Sequence, residues 1–172
     1  AQICKCIGAV CVCVCVAGKW YLIGFATNAE WFVTRKANMK MGIAIWHIPV
    51  SVLSCFMIFH PVFSSPDGSC WRMNHLAQKK DIPGKFSFRS ERWETENDMR
   101  VVDVKYDEYA LIHTIKTKAD STMLLNKLYG RTPDLSQDVL DKFTEFSLEQ
   151  GILPENIAIL PKNGKTLLKT LF

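Results

Sequence analysis

Thiols are the most reactive side chains in this sequence, and their placement is uneven. Of seven cysteines, Cys4, Cys6, Cys11, Cys13 and Cys15 crowd into the first fifteen residues, and only Cys55 and Cys70 lie beyond. In "VCVCVCV", residues 10–16, an extended backbone would put Cys11, Cys13 and Cys15 on one face. Three thiolates so placed could take a soft metal ion. No second ligand cluster supports such a site: His47, His60, His75 and His113 share no ligand spacing, and each reads as a surface or internally satisfied residue. A disulfide framework would spread its thiols along the chain, which this odd, crowded set does not. Asp103 and Glu94 stand alone and read as solvated carboxylates, so no acid–base pair emerges. No catalytic residue, metal site or cofactor is expected.

What remains is a chain built to bury apolar surface. Its 172 residues suit one domain with a real core, and 48% are apolar. The net charge of +4 comes from scattered lysines and arginines, so a nucleic-acid footprint is not expected. From residue 86 onward, "KFSFR", "DMRVVDVKY", "YALIHTIK" and "MLLNKLYGR" are short, rich in β-branched and aromatic residues, and split by polar turns. That pattern predicts a meander of antiparallel strands. In "PDLSQDVLDKFTEFSLEQG", Val139, Leu140, Phe143 and Phe146 then recur at helical spacing, with Ser136 placed to cap and Gly151 to stop. One amphipathic helix outside the sheet is expected, followed by a short strand in "ENIAILP".

The front half is less regular. "GKWYLIGFATN" and "MKMGIAIW" read as strands. Residues 45–65 carry no charge other than neutral histidines, which raises a membrane-spanning helix, but Pro49, Pro61, Ser51 and Ser54 argue against one. No basic segment precedes the apolar run at 7–17, so no signal peptide is recognisable.

At "GKWYLIGFATN" the chain resembles a lipocalin. The family opens its first strand with Gly-x-Trp, matched by Gly18 and Trp20, and ends its last barrel strand with an arginine, matched by Arg131 in "KLYGR". Its middle motif, Thr-Asp-Tyr, reads Val104-Lys105-Tyr106 here, so only the tyrosine is kept. Within the family, "EWFVTRKANMKM" and "YDEYALI" lie nearest the extracellular fatty acid-binding and prostaglandin D synthase branches. The resemblance implies an all-β fold: an eight-stranded antiparallel up-and-down barrel with one external helix, spanning residues 17–163. Residues 1–16 would be an irregular extension and 164–172 a tail. The valine–cysteine alternation is what a GT repeat encodes, and residues 1–16, about 46–65 and 164–172 would be translated intron. In the family Cys70 bonds a cysteine near the C-terminus, where this chain reads "KTLLKTLF".

The family's roles carry over residue by residue. Gly18, Trp20 and Arg131 would close the barrel, with the guanidinium across the indole face in a cation–π contact of about 1–2 kcal/mol. Strand parity puts Leu22 and Gly24 inward beside Trp20. Family alignment adds Gly42 and Ala44 on the second strand, and Phe86 and Phe88 further on. It also points Ile112, Thr114 and Lys116 inward, and Leu125, Lys127 and Tyr129. Such a cup would hold a small hydrophobic, anionic guest: a fatty acid, lysophospholipid, retinoid or siderophore. Lys116, Lys127 and Tyr129 would meet its polar head. The synthase branch needs a cysteine where Gly42 stands, so an enzyme is not expected. The implied protein is secreted, monomeric and not membrane-bound, with strands poorly patterned and frayed around residues 45–65.

Overall fold

Residues 109–130, rich in β-branched and aromatic side chains, build a hairpin of two ten-residue strands. A computed structural model describes residues 16–47, 56–64, 70–72 and 74–162, with 56–64 and 70–72 given by their backbone pairing. The calls on residues 1–15, 48–55 and 163–172, and on the thiol of Cys70, lie outside the described residues.

In chain order the elements are β1 (Gly18–Thr27), α1 (Trp31–Arg35), β2 (Gly42–His47), β3 (Phe56–Ser64), β4 (Cys70–Arg72) and β5 (His75–Lys79). There follow β6 (Lys85–Ser90), β7 (Thr95–Lys105), β8 (Tyr109–Lys118), β9 (Ser121–Gly130), α2 (Gln137–Glu149) and β10 (Ile157–Ile159). Neighbours pair antiparallel in the order β1-β2-β3-β5-β6-β7-β8-β9, and β9 returns to β1. Eight strands therefore close a barrel, with β4 hung on β3 and β10 laid along β1. Closure leaves almost no free strand edge, the usual liability of a sheet this size.

Of the segment expected to fray, residues 48–55 lie outside the described residues, while Phe56–Ser64 pair on both edges. β3 takes Ile43–His47 of β2 on one edge, and His75–Gln78 of β5 together with β4 on the other. Backbone hydrogen bonding, which is indifferent to the weak side-chain patterning, supplies that order. Among the described residues no helix is long and apolar enough to cross a membrane.

Two apolar layers result. Alternate residues of the strands fill the barrel, including Trp20, Leu22, Phe86 and Ile112. A second cluster lies on the barrel's outer wall, where Val139 and Phe143 of α2 cover Ala26, Leu111 and Leu128. Ser136 occupies the N-cap position with extended backbone, but its hydroxyl makes no capping bond. Its carbonyl instead accepts from the N–H groups of Val139 and Leu140.

Gly24 corrects the parity drawn from Trp20. The β1–β9 register shifts between Leu22 and Gly24, a bulge that flips every later residue of β1 to the other face. A Cβ on Gly24 would meet the Phe143 ring at 2.7 Å and Leu128 Cβ at 3.0 Å, so Gly24 faces outward beneath α2. Phe25 takes the inward place and stacks on Phe32 of α1, with ring centroids 5.2 Å apart.

Candidate functional site

The closed end of the barrel is built first by glycine. Gly18 has φ +106°, a left-handed backbone that side chains disfavour, and a Cβ there would sit 3.1 Å from Arg131 Nη1. That vacancy lets the guanidinium lie 3.8 Å from the Trp20 ring centroid. Arg131 also donates from Nε to the Tyr106 carbonyl (2.9 Å) and from Nη1 to the Lys19 carbonyl (3.2 Å). Trp20 donates its indole N–H to the Val16 carbonyl at 2.7 Å. On its inner side, Trp46 packs 5.3 Å from Trp20 and edge-on to Tyr129 at the same distance.

Register then assigns the lining. Leu22 lies opposite Gly42 and Tyr129, and Trp20 opposite Ala44. Ile112 pairs Lys127, Thr114 pairs Leu125, and Lys116 pairs Met123 across β8–β9. On β6, Phe86 and Phe88 pair Met99 and Asn97 of β7. Leu22, Ala44, Phe86, Ile112, Thr114, Leu125 and Tyr129 are buried, while Phe88, Lys116 and Lys127 are partly so. The positions nominated from the sequence thus share one interior, Gly24 excepted.

Desolvation governs the ionisable groups there. Burial pulls the Lys127 ammonium down to about 8, and the nearby Lys116 charge adds to the effect. Burial alone lowers Lys116, and it raises the Tyr129 phenol far above the ordinary tyrosine value. Asn97 Oδ1, the Ser90 hydroxyl and Trp46 Nε1 are buried without hydrogen-bond partners among the described residues. Inward carboxylates are absent among the described residues, because the acidic residues of β7 (Glu96, Asp98) alternate to the exposed face.

His75 is the member that sequence reasoning missed. It shares the inner face of β5 with the fully buried Ala77, and its ring centroid lies 4.8 Å from that of Phe88. Burial, then Lys127, then Lys116 depress its pKa to about 4. Position in "RMNHLAQKK" carries no apolar alternation that would have aimed it inward. His47 is exposed, and His113 Nδ1 pairs with Asn126 Oδ1 at 2.6 Å under α2, so both stay outside.

Asp103 is not the lone carboxylate the sequence suggested. It accepts from the Tyr109 hydroxyl at 2.7 Å and from Lys142 Nζ at 2.9 Å, which ties α2 to the wall. The Lys142 bond, outweighing burial, holds its carboxyl below the usual range. Glu94 is exposed, within 3.4 Å of Lys118 Nζ.

A closed eight-stranded barrel with a greasy lining and a few inward polar groups defines a class: proteins that enclose one small molecule. The sequence pattern of the Lipocalin / cytosolic fatty-acid binding protein family matches residues 17–164, and the chain belongs to that family, which binds small hydrophobic ligands. It is 36% identical to "Lipocalin" of Rhinella marina over 152 residues, covering 88% of this chain and 81% of that one. Major urinary protein 20 of Mus musculus is 30% identical over 88% of this chain and 80% of its own. Prostaglandin-H2 D-isomerase of Ursus arctos is 28% identical over 87% and 77%. Among solved structures, that described as "The Siderocalin Ex-FABP functions through dual ligand specificities" superposes with TM-score 0.75 at 27% identity. It covers 88% of this chain and 97% of the other.

Proposed function

We propose that this protein is a secreted, monomeric, non-enzymatic carrier of a small hydrophobic anion, fatty-acid-like in having an apolar body and one charged head. The observation that carries the reading is the pair Lys116 and Lys127. They face the same interior from adjacent strands, and no carboxylate accompanies them at any described inward position. Partly buried ammonium groups facing an apolar interior gain from a counter-charge, and a guest's head would supply it. Leu22, Ala44, Phe86, Phe88, Ile112, Thr114 and Leu125 would cover the apolar body, contributing about 25 cal/mol per Å² before the costs of binding. Tyr129, held as the neutral phenol, would donate to the head.

The test compares a fatty acid with the alcohol and methyl ester of the same chain, read by tryptophan quenching. The acid should bind at least about tenfold tighter, since a single charge-assisted contact is worth at least 1.4 kcal/mol. Equal affinity for all three would reject the anionic reading and leave an apolar carrier.

A second reading draws on the relatives named Prostaglandin-H2 D-isomerase. Its nucleophile would have to stand where Gly42 faces Leu22 across β1–β2, and glycine offers none. Turnover of prostaglandin H2 by the unaltered chain would establish the isomerase instead.

A further inference from the structure

On β9 the inward residues run Leu125, Lys127, Tyr129, while Asn126 and Leu128 turn out beneath α2. Register sets Phe25 of β1 on one side of Lys127 and Ile112 of β8 on the other. Phe25, Ile112, Leu125 and Tyr129 all belong to the barrel's buried apolar cluster. The ammonium end of Lys127 is enclosed by protein, yet its side chain keeps some accessible surface. Accessible surface that deep belongs to the hollow. The amine is therefore offered to whatever the hollow holds.

Burial, reinforced by the Lys116 charge, pulls this amine down to about 8. At pH 7 about a tenth of it is unprotonated, against about 0.03% for a lysine at the ordinary value of 10.5. Free amine is thus enriched about 300-fold. A lysine desolvated in an apolar pocket or set beside a second cation is activated toward carbonyl carbon. The ring of Phe25, Ile112, Leu125 and Tyr129 adds the other requirement, a surface that holds an oily, uncharged carbonyl compound against the nitrogen. It also keeps away the water that would reverse the product.

We infer that Lys127 is a covalent capture site for apolar aldehydes, which it holds as imines on the barrel wall. The inference rests on the carrier reading for the hollow that receives the guest, and adds a reaction to it. The lone pair of the amine nitrogen attacks the carbonyl carbon and forms a C–N bond. Both protons of the amine pass to the carbonyl oxygen, the C–O bond breaks, and water leaves. Amine and aldehyde become imine and water, with no oxidant or reductant consumed. A carboxylate guest instead offers Lys127 a charge and keeps it protonated, so one residue pairs with an acid and bonds an aldehyde.

Decanal and decanol share one apolar body, and only the first can form an imine. The full chain is incubated at pH 7 with one equivalent of decanal and with cyanoborohydride, which reduces an imine to a stable secondary amine. Occupancy by either guest is read from displacement of N-phenyl-1-naphthylamine, and adduct is counted per occupied barrel. Peptide mapping by mass spectrometry should find a decyl group on Lys127, formed at least about tenfold faster than on any other lysine. Excess decanol should suppress it at least about tenfold. Lys127→Met and Lys127→Arg should each lose the fast adduct, the second because a guanidinium stays charged.

Labelling led by any other lysine, Lys116 included, or indifferent to decanol, would overturn the capture site, while displacement of the probe left the carrier reading standing. If neither guest nor probe binds the chain, the carrier reading fails and this inference with it.

Discussion

Replacing Arg131 by methionine tests the account of barrel closure. The substitution keeps an apolar stem of similar length and deletes the guanidinium. Lost with it are the cation–π contact on Trp20, at 3.8 Å from the ring centroid, and two donated hydrogen bonds to the Tyr106 and Lys19 carbonyls. The first is worth about 1–2 kcal/mol where partly desolvated. The two bonds, on a half-buried group, are worth about 1 kcal/mol each. A loss of about 3 kcal/mol follows, which for a chain of this length lowers Tm by about 6–12 °C. Arg131→Lys keeps the charge but loses the planar stack and the two-way fork, so about half the loss is expected. Denaturant or thermal unfolding measures both, and a cycle with Trp20→Leu isolates the cation–π part at about 1–2 kcal/mol. If Arg131→Met stays within about 0.5 kcal/mol of the parent protein, the guanidinium does not hold the barrel shut.

Gly24→Ala should cost about 1–3 kcal/mol, because its methyl would overlap the buried Phe143 ring and Leu128 Cβ; an unchanged Tm would mean α2 is free to move off the wall. Ala119, at φ +48° between the paired Lys118 and Ser121, should gain about 0.5–1 kcal/mol on replacement by glycine, measurable as a higher Tm. The protein should become more stable between about pH 8 and 10.5. Lys127 is depressed in the folded state, so there the unfolded chain binds the extra proton and stability rises with pH. The ceiling is about 3 kcal/mol, and the rise should vanish when unfolding is repeated on Lys127→Met. A guest at one hundred times its Kd should raise stability by about 2.7 kcal/mol, seen as a thermal shift that grows with its concentration.

The strands from Lys85 to Gly130 were legible because short runs rich in β-branched and aromatic residues are split by polar turns, and β7 in addition alternates buried and exposed residues over Thr95–Arg100. Phe86, Ile112, Leu125 and Tyr129 were aimed inward by family alignment. The helix at Gln137–Glu149 announced itself through Val139, Leu140, Phe143 and Phe146. Gly-x-Trp and the distant arginine marked the closed end, although nothing in their own spacing shows that Gly18 is vacant so that Arg131 can reach Trp20.

Other features belong to the tertiary structure alone. Gly24 turned outward because β1 must meet β9 on one side while Phe143 descends on its face, and the bulge that reconciles them leaves no mark in "LIGFAT". His75 turned inward because β5 takes its facing from its neighbours β3 and β6, not from its own composition. Sequence fixes the period of a strand wherever burial differs between its two faces. Which face is the inside, and which distant bases meet there, depends on register, and register is set only when the ring of strands closes.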